Sequence, residues 1–155
     1  MRIARIAFAL AVLMPGAALA QSTPAQKPDF SPFTFLTGAW SCTPTASPNR
    51  GEIGRPTPIT FAVDRSGFWL VGTEPHTKRY VSHDAKTSTW YSVALTERGG
   101  MYSDRSTGWS GNRLVLHDTF NSDGSPLGTT TITKASDHRY TVRDSEGFNV
   151  VCTKP

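Results

Sequence analysis

The chain has 155 residues, with 16 Lys or Arg, 12 Asp or Glu and four His, and its length suits a single domain. The basic residues are scattered, without a Lys/Arg run or a basic helical face, so nucleic-acid binding has no support. No segment beyond the N-terminus is apolar enough to cross a bilayer, and we expect no membrane span.

The first 20 residues have the pattern of a secretory signal peptide. Arg2 and Arg5 precede an apolar run from Ile6 to Leu13, and Ala18-Leu19-Ala20 is a small-x-small cleavage site. We therefore expect cleavage near Ala20 and a periplasmic or secreted protein; the alternative is an uncleaved membrane anchor.

Residues 21–31 are rich in proline and small polar side chains, which is typical of a flexible arm. Ser31-Pro32 then has the pattern of an N-cap followed by proline at the first helical position. This predicts a short helical turn from Pro32 to about Leu36, ending at Gly38. Three apolar side chains of this turn would form a hydrophobic plug: Phe33, Phe35 and Leu36.

Cys42 and Cys152 are the two cysteines of the chain. In an exported protein such a pair indicates one disulfide, with two separate buried thiols as the alternative. A bridge would require the first and last strands to lie side by side. Neither cysteine has a second Cys or a His at ligand spacing, so we expect no zinc site and no cofactor.

The segment Thr43–Pro58 contains four prolines and two glycines, which argues against a central strand. Its length leaves two interpretations open, a flap over one mouth of the fold or an ordinary surface loop.

From Ile59 onward, short β-type runs recur between turn signals, and no helical periodicity is sustained. With Ala39–Thr43 as the first, the pattern predicts about ten strands of an all-β fold. Hairpin-length connections favour a closed antiparallel up-and-down barrel. The other predicted strands are Ile59–Val63, Phe68–Thr73, Lys78–His83, Ser88–Thr96, Met101–Thr107, Arg113–Phe120, Thr129–Lys134, Arg139–Arg143 and Phe148–Thr153.

Two short motifs carry a family resemblance. Phe35-Leu36-Thr37-Gly38-Ala39-Trp40 resembles the Phe-Leu-x-Gly-x-Trp opening of lipocalin-like (calycin) barrels, including nitrobindin-type domains. Gly108-Trp109-Ser110-Gly111-Asn112-Arg113-Leu114, in which the first glycine directly precedes the tryptophan, resembles the Gly-x-Trp-x-Gly hairpin of uncharacterised secreted bacterial domains with the same opening. The resemblance spans roughly Pro32 to Thr153, and so implies one lipocalin-like barrel domain over residues 32–155.

The resemblance also implies roles for particular residues. Trp40 would close the base of the barrel together with Phe35, Leu36 and Gly38, and a basic residue, Arg139 or Arg143, would pack across its ring by cation–π contact. Relatives bind small apolar ligands or haem, or have no assigned activity. Nitrobindins hold haem through a histidine on a C-terminal strand, and Phe148–Thr153 contains none, so haem is not expected, and haem or metal binding stays a third hypothesis.

No catalytic motif is recognisable in the chain, and we expect no enzyme. Each of the four histidines stands alone, without the i, i+2 spacing that would place two imidazoles on one strand face. Gly108-Trp109-Ser110-Gly111 is not the Gly-x-Ser-x-Gly turn of a serine hydrolase.

Large apolar side chains alternate along several strands, which is compatible with a filled barrel or with an internal cavity. A cavity would suit a small apolar or amphipathic ligand. Our alternative hypothesis is an envelope protein-interaction or inhibitor module that acts through loops at the barrel mouth. We expect a monomer, with a dimer as the alternative. The candidate cavity residues are Trp69, Tyr80, Trp90 and Met101.

Overall fold

The structure is a computed structural model that describes residues 25–47 and 53–155. The predicted signal peptide, residues 1–20, and residues 21–24 of the predicted arm lie outside the described residues. A 3₁₀ helix, the N-terminal helix, covers Ser31–Leu36 and precedes the strands. The strands are β1 Gly38–Ala46, β2 Thr57–Val63, β3 Leu70–Thr73, β4 Thr77–Asp84, β5 Thr89–Thr96, β6 Met101–Ser106, β7 Trp109–Ser110, β8 Arg113–Asn121, β9 Thr129–Ser136, β10 Arg139–Asp144 and β11 Asn149–Thr153.

Ten of these strands form a closed antiparallel barrel, which confirms the predicted fold class. Neighbours along the chain pair with one another from β1 to β6 and from β8 to β11. Pairing of β6 with β8 and of β1 with β11 completes the ring, while the two-residue β7 pairs with β8 only. In the β1–β11 ladder Cys42 lies opposite Cys152, and the two form the predicted disulfide.

The segment Thr43–Pro58 is shorter as a loop than the sequence indicated. β1 continues through Pro44 to Ala46, and β2 already begins at Thr57. Pro44 is tolerated because its carbonyl accepts a hydrogen bond from the Gly54 N–H, so its polar backbone side points away from β11. The ladder between β1 and β2 stops at the pair Cys42 and Thr57, so no strand lies beside Pro44 on that side. No ladder hydrogen bond therefore needs the missing N–H.

The two ends of the barrel differ in what covers them. The helix end carries the N-terminal helix, and the loop end carries the connections 74–76, 97–100, 122–128 and 145–148 together with residues 47 and 53–56. Trp40 joins the N-terminal helix to the barrel, since its Nε1–H donates to the Leu36 carbonyl over 2.6 Å. Gly38, which has a φ of 104°, permits the sharp entry into β1.

The N-terminal helix packs on aromatic rings at the helix end. The Phe33 ring lies 4.5 Å from Trp90 and 5.9 Å from Trp109, and Phe35 lies 5.3 Å from Trp109. Phe33, Phe35 and Leu36 are buried. In the preceding segment the Phe30 ring is 5.8 Å from Trp90, so the described part of the predicted arm also touches the barrel. Over the described ranges, no helix has the length and apolar character needed to cross a membrane.

Candidate functional site

A cavity of about 440 Å³ occupies the barrel interior. It extends from Phe33 and Leu36 at the helix end to Glu74 and Asp144 at the loop end. Because side chains alternate across each strand, every second residue points into this space. The apolar part of its wall comes from eight strands, β2 to β5 and β8 to β11: Ile59, Phe61, Leu70, Val81, Ala94, Leu114, Leu116, Ile132, Val142 and Val150.

One charged cluster lies along the inner wall, on the neighbouring strands β4, β5 and β6. Arg79 of β4 donates from Nη1 to Ser92 Oγ over 2.7 Å and to Asp104 Oδ2 over 2.5 Å. Ser92 and Asp104 are direct cross-strand partners in the β5–β6 ladder, and both are buried. Burial raises the pKa of Asp104 and a hydrogen bond with Asp118 raises it further, while the Arg79 charge opposes the rise. The arginine is therefore already neutralised within the protein.

Glu74 is the second ionisable group on the cavity wall. It follows β3 directly, and the alternation that turns Leu70 and Gly72 inwards also turns Glu74 towards the cavity. Burial raises the pKa of Glu74, and the Arg79 charge partly offsets this rise. Within the described part of the chain, its carboxylate has no hydrogen bond and no ion pair.

Tyr140 places a hydroxyl against the cavity from β10. The hydroxyl lies 3.5 Å from Cys42 Sγ, a weak contact that leaves most of its hydrogen-bonding capacity free. Burial raises the pKa of Tyr140, and the charge of Glu74 adds to the effect. Tyr140 is therefore a neutral donor at physiological pH.

A smaller polar cavity of about 270 Å³ adjoins the first at the loop end. The two share Arg79, Tyr102, Thr130 and Asp144, so the polar cavity lies directly beside the barrel interior. Five carboxylates and one guanidinium are the charged groups among the described residues around it. The carboxylates belong to Asp104, Asp118, Asp123, Asp144 and Glu146.

Of the four residues predicted to line a cavity, the structure places Trp90 on the cavity wall. The other three lie on the outer surface. Trp69 and Met101 are 41% and 39% exposed, and the Tyr80 ring packs 6.3 Å from Trp69. On these strands the inward positions are Leu70, Gly72, Arg79 and Tyr102.

A local contact explains why the less bulky face of β3 turns inwards. A Cβ at Gly72 would lie 2.7 Å from Phe61 Cε1, so the Phe61 ring fills the space above the glycine. Sequence reasoning missed the inward orientation of Arg79 and Asp104. Strand alternation was the available signal, since Arg79 shares a face with Val81 and Asp104 shares a face with Ser106. Glu74 was interpreted only as part of the strand break at Glu74-Pro75.

At the helix end, Trp40 is buried and the Tyr140 ring packs against it edge-on at 4.6 Å. The cation over Trp40 is Lys154, whose Nζ lies 5.0 Å from the ring centroid. The two residues expected there, Arg139 and Arg143, are both exposed, and Lys154 lies over the ring in their place. Arg143 pairs with Asn149 near the loop end, at the opposite end of the barrel from Trp40.

The histidines do not gather at the cavity. His76 pairs with Glu97 on the surface at 2.9 Å, and the His83 ring lies 4.7 Å from Trp90. Across residues 25–47 and 53–155, no group of three or more His, Cys, Asp or Glu side chains is arranged to hold a metal ion.

No protein-family model matches the chain, and no curated protein sequence matches it. One similar solved structure is described as a redesigned β-barrel, mFAP1, bound to DFHBI. It shares 16% sequence identity with this chain at a TM-score of 0.35, over 78% of this chain and 95% of its own. At that level the likeness says nothing about what this chain binds.

Proposed function

We propose that this protein is an exported barrel that binds one small apolar or amphipathic molecule in its interior, without catalysing a reaction. The single observation that carries the proposal is the cavity of about 440 Å³, lined mainly by aliphatic and aromatic side chains. Its volume lies within the range of roughly 300–1,000 Å³ that small-molecule sites occupy.

The polar groups of the wall support an amphipathic ligand. An apolar pocket with a few placed polar groups orients a ligand as well as excluding water from it. Arg79, Glu74 and the Tyr140 hydroxyl are such groups, set among Leu, Ile, Val and Phe side chains. A ligand would bury its apolar part near the helix end and direct its polar group towards the loop end.

Export and family are supported by other features. The signal-peptide pattern of residues 1–20 and the Cys42–Cys152 disulfide are both typical of an oxidising compartment outside the cytoplasm. The Phe-Leu-x-Gly-x-Trp opening, Phe35–Trp40, supports assignment to the lipocalin-like barrels, as does the position of Trp40 at the base of the barrel.

The experiment is titration of the mature protein with N-phenylnaphthylamine, a neutral apolar probe whose fluorescence rises in an apolar site. A blocked variant, Ala94→Phe, fills the cavity, since Ala94 is 1% exposed and lines it. The matched control is Ala62→Phe, which makes the same change at an exposed position of β2. We expect the wild type and Ala62→Phe to bind the probe, and Ala94→Phe to lose at least about tenfold in affinity, equivalent to about 1.4 kcal/mol.

Equal binding by the two variants would contradict the proposal, because it would place the probe on the outer surface. Absence of binding to the wild type would also count against it. Circular dichroism of each variant checks that the barrel is folded before its affinity is compared.

A further inference from the structure

Acidic side chains outnumber basic ones on the wall of the barrel cavity. Among the described residues that line the barrel cavity, the charged side chains are Glu74, Arg79 and Asp144. The guanidinium of Arg79 is held by Asp104 and Ser92, so its charge is compensated inside the protein. The cavity is left with an excess of negative charge.

The two carboxylates differ in what they already bind. Asp144 Oδ1 accepts hydrogen bonds from the backbone N–H groups of Glu146 and Phe148, at 2.9 and 2.8 Å, and so stabilises the β10–β11 turn. Glu74 accepts none from the described residues, although it is partly buried. A partly buried carboxylate without a donor is destabilising unless a partner arrives. Glu74 therefore has its full hydrogen-bonding capacity available for a ligand.

The polar cavity at the loop end also carries an excess of negative charge. Its five carboxylates outnumber its one guanidinium, and it shares Arg79 and Asp144 with the wall of the barrel cavity. A recess lined by one sign of charge concentrates ions of the opposite sign. A cation would be favoured at this end of the barrel, and an anion such as a fatty-acid carboxylate would be repelled there.

We infer that the ligand of the barrel is a cationic amphiphile, an apolar body that carries a protonated amino group, and that the amino group pairs with Glu74. The inference rests on the proposed function, since it names the class of molecule that the same cavity takes. The apolar body contacts the aliphatic wall between Leu70 and Val150, while the ammonium group lies at the loop end and donates to the Glu74 carboxylate. Ion pairing satisfies Glu74 without displacing the bond between Arg79 and Asp104.

The test compares three probes with one chain length and different head groups: decylamine, decanol and decanoate, each below its micelle-forming concentration. Titration calorimetry near neutral pH measures their affinities for the mature protein. A charge-assisted hydrogen bond is worth roughly 1.5–3 kcal/mol, so we expect decylamine to bind about 10- to 100-fold more tightly than decanol. Decanoate should bind more weakly than decanol.

Two variants assign the preference to one side chain. Glu74→Gln keeps the shape of the side chain but removes its charge, and should lose the preference for decylamine over decanol. Glu97→Gln is the matched control, since Glu97 is exposed at the loop end and paired with His76. It should retain the wild-type preference.

The outcomes separate the two ideas. Equal binding of the three probes, or a preference for decanoate, would overturn the inference while leaving the barrel as a binder of amphipathic molecules. An amine preference that survives in Glu74→Gln would also overturn it. Failure of all three probes to bind would count against the proposed function itself, and therefore against both.

Discussion

The disulfide at the β1–β11 seam should be the largest single contribution to the stability of the barrel. Cys42 and Cys152 are separated by 110 residues and are 2% and 1% exposed. In the chain-entropy model, closing a loop of that length removes about 16 cal/mol/K from the unfolded chain, which stabilises the fold by about 4.8 kcal/mol at 25 °C. Replacing both cysteines by Ala should therefore lower the free energy of unfolding by at least this amount.

Guanidinium unfolding, followed by tryptophan fluorescence, measures the loss in the Cys42→Ala/Cys152→Ala variant. The reduced wild-type protein is the matched control, because it keeps the buried sulfur atoms and loses only the bridge. Any additional loss in the alanine variant, on the order of 1 kcal/mol for each residue, reports the packing of those atoms. The dependence of the unfolding free energy on denaturant should steepen in both, since the open chain exposes more surface.

A loss below about 1 kcal/mol in the reduced protein would refute this reasoning. It would mean that the two ends of the chain already associate in the unfolded state, so that the bridge removes little entropy.

Three further predictions concern the interior of the barrel. Asp104→Asn should lower the free energy of unfolding by about 1–3 kcal/mol, because Arg79 loses its charged partner; the arginine is 34% exposed and solvent relieves part of the penalty. Unchanged stability in chemical denaturation would contradict this. Trp40→Phe should cost about 1–2 kcal/mol and hasten amide exchange in the N-terminal helix, since it removes the donor to the Leu36 carbonyl; wild-type exchange rates would argue otherwise. Burial raises the pKa of Glu74, so the folded state holds this proton more tightly and gains stability as the pH falls through the folded pKa towards the unfolded value. Glu74→Gln should therefore have a higher free energy of unfolding than the wild type at neutral pH, and the difference should shrink as the pH falls. Denaturation curves at a series of pH values measure this difference; a difference that grows on acidification would contradict the prediction.

The strand order was predictable because its signals are local. Turn residues and alternation mark each hairpin, and a disulfide between the first and last strands indicates closure. The errors in strand limits arose at prolines. Pro44 and Pro58 lie inside strands, and the fate of a missing N–H depends on whether a neighbouring strand is present beside it.

The inward faces were less predictable, because they depend on partners far along the chain. Tyr80 is more apolar than Arg79, yet the arginine faces inwards, since Asp104 on β6 supplies its counter-charge 25 residues later. Hydrophobicity along one strand contains no information about that partner. The same applies to Lys154, which lies over Trp40 only because β11 returns beside β1.

The chain forms a near-circle in which almost every strand pairs with its neighbour along the sequence, and the β1–β11 seam is where its two ends meet. Gly38 begins β1 and Thr153 ends β11 at the same end of the barrel. A circular permutant could therefore join Pro155 to Ala25, which keeps the N-terminal helix, and open the chain at the loop 97–100. In that permutant the bridge would close a loop of about 20 residues, and its entropic worth would fall to about 3.3 kcal/mol. The stabilisation that the disulfide provides thus depends on the order of the strands along the chain. In the permutant, the same Cys42–Cys152 contact would stabilise the same barrel less.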